Sequence, residues 1–270
     1  MSHVPPPFVV RPPTAPAVPL LVSIPHTGTY LPAALRTRLA SDAMRALPMT
    51  DWHLHELYDF LPELGITTIH ATWSRFFVDL NRAPDDRPLY PGRFETGLVA
   101  LETFQGETVW REPPSGDEVA RHRREVHAPY HAELTRLLAQ QRERFGRAQL
   151  IDAHSVASKA SRLHPELAED VFLGDRDGAT CPEAFIGAVE RGLGSQGLAV
   201  VRNRPYKGGY ITEHYGRQPG VAALQIEMAQ RVYMDESDPA GAPGAARFSA
   251  ARRKLRAAFE DLIATRAAGG

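Results

Sequence analysis

Two histidines stand where apolar runs turn polar: His26 follows LLVSI in the segment SIPHTG, and His154 lies near the end of AQLIDAHS. Imidazole binds metals and moves protons near neutral pH. Asp51 and His53, in MTDWHLHEL, each offer a third ligand, and the sequence leaves the choice between them open. Three N or O donors with one position free describe a catalytic zinc site, which activates water and polarises a carbonyl. A strand-end histidine also serves as a hydrogen-bonded structural residue, so the reading rests on having two of them. Asp152 precedes His154 by two residues. On a strand both side chains share a face, where the carboxylate can orient the imidazole or cap the following turn.

Glu227 interrupts the apolar run ALQIEMA. A buried carboxyl is disfavoured in its charged form, which suits a residue that takes a proton from water and passes it to a leaving amine. A buried salt bridge is the plainer alternative. Asn81 and Arg82 end VDLNR. The planar guanidinium fork matches a carboxylate with two hydrogen bonds, and Asn81 adds a further donor. The competing reading pairs Arg82 with Asp79, Asp85 or Asp86. Arg75 either adds positive charge or bridges an acidic neighbour. Lys207, Thr212, His214 and Arg217 cluster around Gly208-Gly209, whose backbone freedom can bring N–H groups to an anion. They form a second candidate carboxylate clamp, or a solvated loop.

These residues need elements to bring them together. Strands are expected at 20–25, 67–72, 75–81, 148–155, 198–204 and 223–229, from short apolar runs bounded by Pro, Gly and polar residues. Helices are expected at 32–40, 51–64, 115–145, 182–192 and 248–266. Thr50 or Asp51 is a candidate cap for the second, and Pro129 a kink in the third. Residues 83–97 and 206–216 read as loops. The proline-rich segment 1–19 reads as an extended lead-in. Residues 20–270 read as one domain, a three-layer α/β/α sandwich with a mixed, mostly parallel sheet. Ligands of such sheets sit beyond the C-terminal strand ends. His26, Asn81, Arg82, His154, Ser155 and Glu227 are therefore expected to converge.

Composition narrows the function further. The 270 residues carry 31 Lys+Arg against 32 Asp+Glu, so no basic excess points to nucleic acid. No apolar run is long enough to cross a membrane, and the N-terminus has no secretory pattern. The lone Cys181 allows no intrachain disulfide. A cytoplasmic protein acting on a small molecule is expected, with its oligomeric state left open. Cys181 reads as a buried small residue rather than a nucleophile. Phosphate loops, dinucleotide fingerprints, serine elbows, CxxC pairs and HExxH helices do not occur.

FVDLNR, IDAHS and QIE resemble the carboxylate-binding, later metal-binding and catalytic-glutamate segments of zinc carboxypeptidases. Their H-x-x-E pair is absent, because Thr29 stands where the glutamate would be, and Asp51 is the candidate replacement. Over nearly the whole chain, SIPHTG, TDWHLHELYDF, SRFFVDLNR, the PLYPG loop, DAHS, RPYKGGYITEHYG and LQIEMAQ are similar, in order and spacing, to the N-formylglutamate amidohydrolase family of bacterial histidine breakdown. The resemblance implies a carboxypeptidase-like, phosphorylase/hydrolase-like α/β fold and a divalent metal, with zinc expected. It also implies hydrolysis of N-formyl-L-glutamate to formate and L-glutamate. Carried onto this chain, His26, Asp51 and His154 would hold the metal and Glu227 would shuttle the proton. Asn81 and Arg82 would grip one carboxylate, and Lys207, Arg217 or Arg75 the other. A hydrolase of another N-acyl amino acid or glutamyl amide, and a non-catalytic metal- or amino-acid-binding relative, are the alternatives.

Overall fold

The computed structural model describes residues 4–242 and 244–267, so the ends of the 1–19 and 20–270 segments lie partly outside the described residues. In chain order the strands are β1 (Phe8–Arg11), β2 (Leu20–Ile24), β3 (Thr67–Ala71), β4 (Ala148–Val156), β5 (Val171–Gly174), β6 (Val200–Arg202) and β7 (Val221–Ala229). They form one sheet in the order β1-β3-β2-β4-β7-β5-β6. β2 pairs parallel with β3 and β4, β4 with β7, and β5 with β6. Only β1–β3 and β5–β7 run antiparallel, so the sheet is mixed and mostly parallel. The proline-rich lead-in contributes β1, whose four residues pair at the sheet edge. Prolines flank this strand and do not interrupt its ladder.

Side chains alternate between the two faces of each strand and build two cores. Leu20, Val22, Ile24, Ile151, Ala153, Leu224, Ile226 and Met228 meet α6 (Glu183–Ser195) and α8 (Ala245–Ala267) in one cluster. Leu21, Leu150 and Ala223 point the other way, to α5 (Ala128–Phe145) and α7 (Tyr210–Gly216). The same parity assigns Ser23, Asp152, His154, Gln225 and Glu227 to the second face. There they continue an apolar row as a polar one towards the C-terminal strand ends. Register completes the alignment: Ser23 lies opposite Asp152, Asp152 opposite Gln225 and His154 opposite Glu227.

Several local expectations are corrected. Residues 75–81 form no strand. Arg75 folds back onto Asp79 at i+4, 2.6 Å away, and the Phe77 N–H bonds the Ser74 carbonyl in a turn. The expected helix at 51–64 shrinks to α3 (Leu54–Leu57) and a 3-10 turn at Leu61–Leu64. His53, in the left-handed region at φ 57°, precedes α3 without a side-chain cap, and neither Thr50 nor Asp51 caps it. The helix at 32–40 is confined to α1 (Ala33–Arg36), with α2 (Asp42–Arg45) following it. Residues 206–216 are not all loop, because α7 begins straight after Gly209. The strand at 198–204 is only the short β6, and β5 lies in a stretch whose sequence reads as irregular. Pro129 does not break its helix. α4 (Gly116–His122) runs through a π turn at Arg123–His127 into α5, and Pro129 stands just after that turn.

Candidate active site

Parallel strands β2 and β4 end side by side, which brings His26 and His154 together with their ring centroids 4.7 Å apart. Between them reaches Asp51, whose N–H bonds the His26 carbonyl. Asp51 Oδ2 lies 3.2 Å from His154 Nδ1 and 3.9 Å from His26 Nδ1. One ligand atom from each of the three residues falls within 4.8 Å of the others, and all three residues are buried. His53 stays outside this cluster and bonds the Pro239 carbonyl.

The far nitrogens of both imidazoles meet carboxylates. His26 Nε2 lies 2.7 Å from Asp79 and His154 Nε2 2.9 Å from Asp152. An imidazole that donates from Nε2 to its carboxylate leaves Nδ1, in the neutral ring, to a cation; His154 Nδ1 faces Asp51, and its Nε2 also lies 2.9 Å from Asn81 Nδ2. A His–Asp–His donor set with both imidazoles so held fits a divalent metal such as zinc. Burial and the nearby Arg75 hold His26 below its ordinary pKa, although Asp79 pulls the other way. Burial also works against protonated His154, but Asp152 and Asp51 outweigh it and raise this residue well above its usual range. Asp79 is itself kept ionised. Burial opposes its charge, while Arg75, His26 and Arg82 together hold it well below the carboxylate range.

Glu227 is next to His154 across the β4–β7 ladder. Gln225 Nε2 donates to Glu227 Oε1 at 3.0 Å, while Gln225 Oε1 accepts from the Gly209 N–H at 2.7 Å. Burial pushes the Glu227 carboxyl above the usual range, His154 pulls it down, and Asp51 pushes it up. No ion pair fixes this carboxyl among the described residues, in contrast to the salt bridge weighed for it from sequence. Its proton affinity therefore suits transfer near neutral pH.

A cavity of about 410 Å³ opens over these groups. Its walls carry Arg75, Arg82, Arg93, Arg162 and Lys207 against Asp51, Glu95 and Glu227, an excess of positive charge that favours an anionic guest. Arg82 pairs with none of Asp79, Asp85 and Asp86. It donates Nη1 to the Asn81 carbonyl and Nε and Nη2 to Thr96. Among the described residues it makes no ion pair, and one N–H on each terminal nitrogen stays available for a carboxylate. Arg75 is bridged to Asp79, and its buried Nε has no partner among the described residues.

The other residues proposed from sequence divide. Asn81 lines the cavity, but its amide is occupied: Nδ2 donates to Asp152 at 3.1 Å and Oδ1 accepts from the Ile211 N–H at 2.8 Å. It clamps α7 to the end of β4. A Cβ on Gly209 would fall 2.3 Å from Asn81 Nδ2, so this close approach requires glycine. Lys207 lines the cavity and pairs with Asp177 at 2.7 Å. Thr212 is buried in α7, and Arg217 extends to solvent and pairs with Glu213; neither lines the cavity. Ser155 lines it, and Cys181 is buried away from it. Sequence reasoning missed Asp79 as a histidine partner, Gln225 as the holder of Glu227, and the walls formed by Tyr90, Arg93, Phe94, Phe104, Arg162 and Tyr206. The D-x-N spacing of Asp79 and Asn81 was the available signal for the first.

Buried acid–base groups beside a metal-competent cluster, at the strand ends of an α/β sheet, are those of a hydrolase. Residues 18–234 match the family model described as N-formylglutamate amidohydrolase. The chain is 43% identical over 251 residues to the N-formylglutamate deformylase of Pseudomonas aeruginosa, covering 92% of this chain and 93% of that one. It is equally 43% identical to the enzyme of that name from Pseudomonas putida, over 229 residues, 82% of this chain and 84% of the other. The crystal structure of N-formylglutamate amidohydrolase from Ralstonia eutropha JMP134 superposes with a TM-score of 0.82 at 31% identity, covering 95% of this chain and 96% of that one. The chain belongs to the N-formylglutamate amidohydrolase family and is a hydrolase.

Proposed function

We propose that this protein hydrolyses N-formyl-L-glutamate to formate and L-glutamate, the closing step of a histidine degradation route, with zinc held by His26, Asp51 and His154. The observation that carries this reading is the coincidence, in a member of this family, of the His–Asp–His cluster, a buried Glu227 with raised proton affinity and an Arg82 without an ion pair among the described residues, around one cavity. When bound, a divalent cation polarises the formyl carbonyl and activates water.

The protein's own groups do the remainder. Glu227, steadied by Gln225, accepts the proton that water loses as its oxygen adds to the formyl carbon. The same carboxyl then returns the proton to the nitrogen as the C–N bond breaks, giving the amine and formic acid, which ionises to formate. Asp79 and Asp152 hold the imidazole rings in place. Arg82 grips one substrate carboxylate, and Lys207 or Arg93, both in the cavity wall, takes the second. The Arg82 contact is a charge-assisted pair, for which about 1.5–3 kcal/mol is usual. Arg82→Ala should therefore raise KM about 10- to 100-fold in steady-state assays, with a smaller effect on kcat.

A panel of N-formyl-L-glutamate, N-acetyl-L-glutamate, N-formyl-L-leucine and γ-glutamyl amides tests the substrate. Formate release from the first is expected, with the others at least about tenfold poorer in kcat/KM: the leucine compound lacks the second carboxylate, the acetyl compound carries a bulkier acyl group, and the γ-glutamyl amides present a different bond. Preference for the acetyl or γ-glutamyl compound would transfer the protein to another amide substrate. Binding without turnover of any would favour a non-catalytic relative.

A further inference from the structure

The segment between Ser74 and Arg82 supplies Asp79, Asn81 and Arg82 to the site, yet it belongs to no strand. Buried backbone carbonyls outside a ladder need donors from elsewhere. Three histidines of the α4–α5 helix provide them. His122 Nδ1 lies 2.9 Å from the Phe77 carbonyl, His131 Nε2 2.9 Å from that of Leu80, and His127 Nε2 2.9 Å from that of Arg82. A carbonyl only accepts, which fixes the donor nitrogen in each ring. His131 also reaches α7, with Nδ1 3.0 Å from the Tyr215 hydroxyl.

The helix is built for this alignment. His127 and His131 are four residues apart and share a face. An uninterrupted α-helix would turn His127 about 140° away from His122. The π turn at Arg123–His127 widens the spiral between them, and all three rings reach one short segment. Burial lowers the pKa of each ring, so all three remain neutral donors around pH 7.

We infer that His122, His127 and His131 are positioning residues for hydrolysis: by holding the carbonyls of residues 77, 82 and 80 they set where Arg82 meets the substrate carboxylate and where Asp79 meets His26. The inference rests on the proposed role of Arg82 as substrate anchor. None of the three lines the catalytic cavity, so their effect passes through the segment they hold.

Donor replacement at His127 and His131 tests it. Glutamine presents an N–H near the Nε2 position, whereas leucine fills similar space without one. His127→Leu should raise KM for N-formyl-L-glutamate about tenfold or more with kcat nearly unchanged, and His127→Gln should bring KM back to within about threefold of wild type. His131→Leu should weaken zinc affinity in a metal-buffered titration about tenfold, through the Asp79–His26 contact, and His131→Gln should restore it. Leucine and glutamine variants with the same KM and the same zinc affinity would overturn the inference, whether or not their melting temperatures differ. If a leucine variant does not fold, asparagine, too short to reach, replaces it in the comparison. Wild-type protein that releases no formate would refute the substrate reading instead. The zinc titration at His131 would still decide the positioning role.

Discussion

His154→Ala removes bound metal and turnover together. The substitution takes one of three ligands from a buried cluster and also leaves Asp152 and Asp51 without the imidazole between them. Two remaining ligands, His26 and Asp51, make a much weaker site, and the two carboxylates repel each other across the gap. A bound cation contributes several kcal/mol to stabilising the developing charge, so its loss should lower kcat about 10³-fold or more. Metal content after dialysis and formate release measured on the same sample check both halves. A variant that stays folded, loses its metal and retains wild-type turnover would detach the cluster from the chemistry. Asp51→Ala should behave in the same way, whereas His53→Ala should keep metal and activity, because His53 bonds Pro239 outside the cluster.

Glu227→Gln separates the proton carrier from the metal holder. Glutamine keeps the size of the side chain and its contact with Gln225, but cannot take a proton at neutral pH. Metal content should stay at the wild-type level while kcat falls about 10²- to 10⁴-fold, the usual range for losing a general acid–base group. KM should change little, since Glu227 grips no substrate carboxylate. Glu227 is held up by burial and Asp51 and down by His154, so its titration belongs to the group and not to one residue. A pH–rate profile that loses one limb in the variant would identify that group with proton transfer. Full activity in Glu227→Gln would remove it from the mechanism.

Strand-end polar residues were the most legible part of the site. LLVSI, which leads into Pro25-His26, and AQLIDAH, which holds Asp152 and His154, are short buried runs whose polar ends packing does not explain, and strand parity follows from their numbering. The sheet was legible for the same reason. The stretch RFFVDLN was not, because its alternation imitates a strand. The ion pair of Arg75 with Asp79 and the three histidine–carbonyl bonds instead fix it as a turn, and the histidines lie 45 to 51 residues away. Gly208-Gly209 suggested a carboxylate clamp or a solvated loop, but Gly209 allows α7 to approach Asn81. That helix buries Thr212 and leaves Arg217 in solvent. The cavity walls at Tyr90, Phe94 and Arg162 come from irregular segments, where no periodicity marks which side chains face inward.

Metal removal and return provides the most direct check on the His26–Asp51–His154 centre. Purified protein is stripped with a chelator, its residual metal is quantified, and formate release from N-formyl-L-glutamate is measured before and after adding one equivalent of Zn²⁺. Turnover should fall to background when the metal is gone and recover in proportion to the zinc taken up. Undiminished formate release from demonstrably metal-free protein would contradict a metal centre at these three residues as the source of the activity.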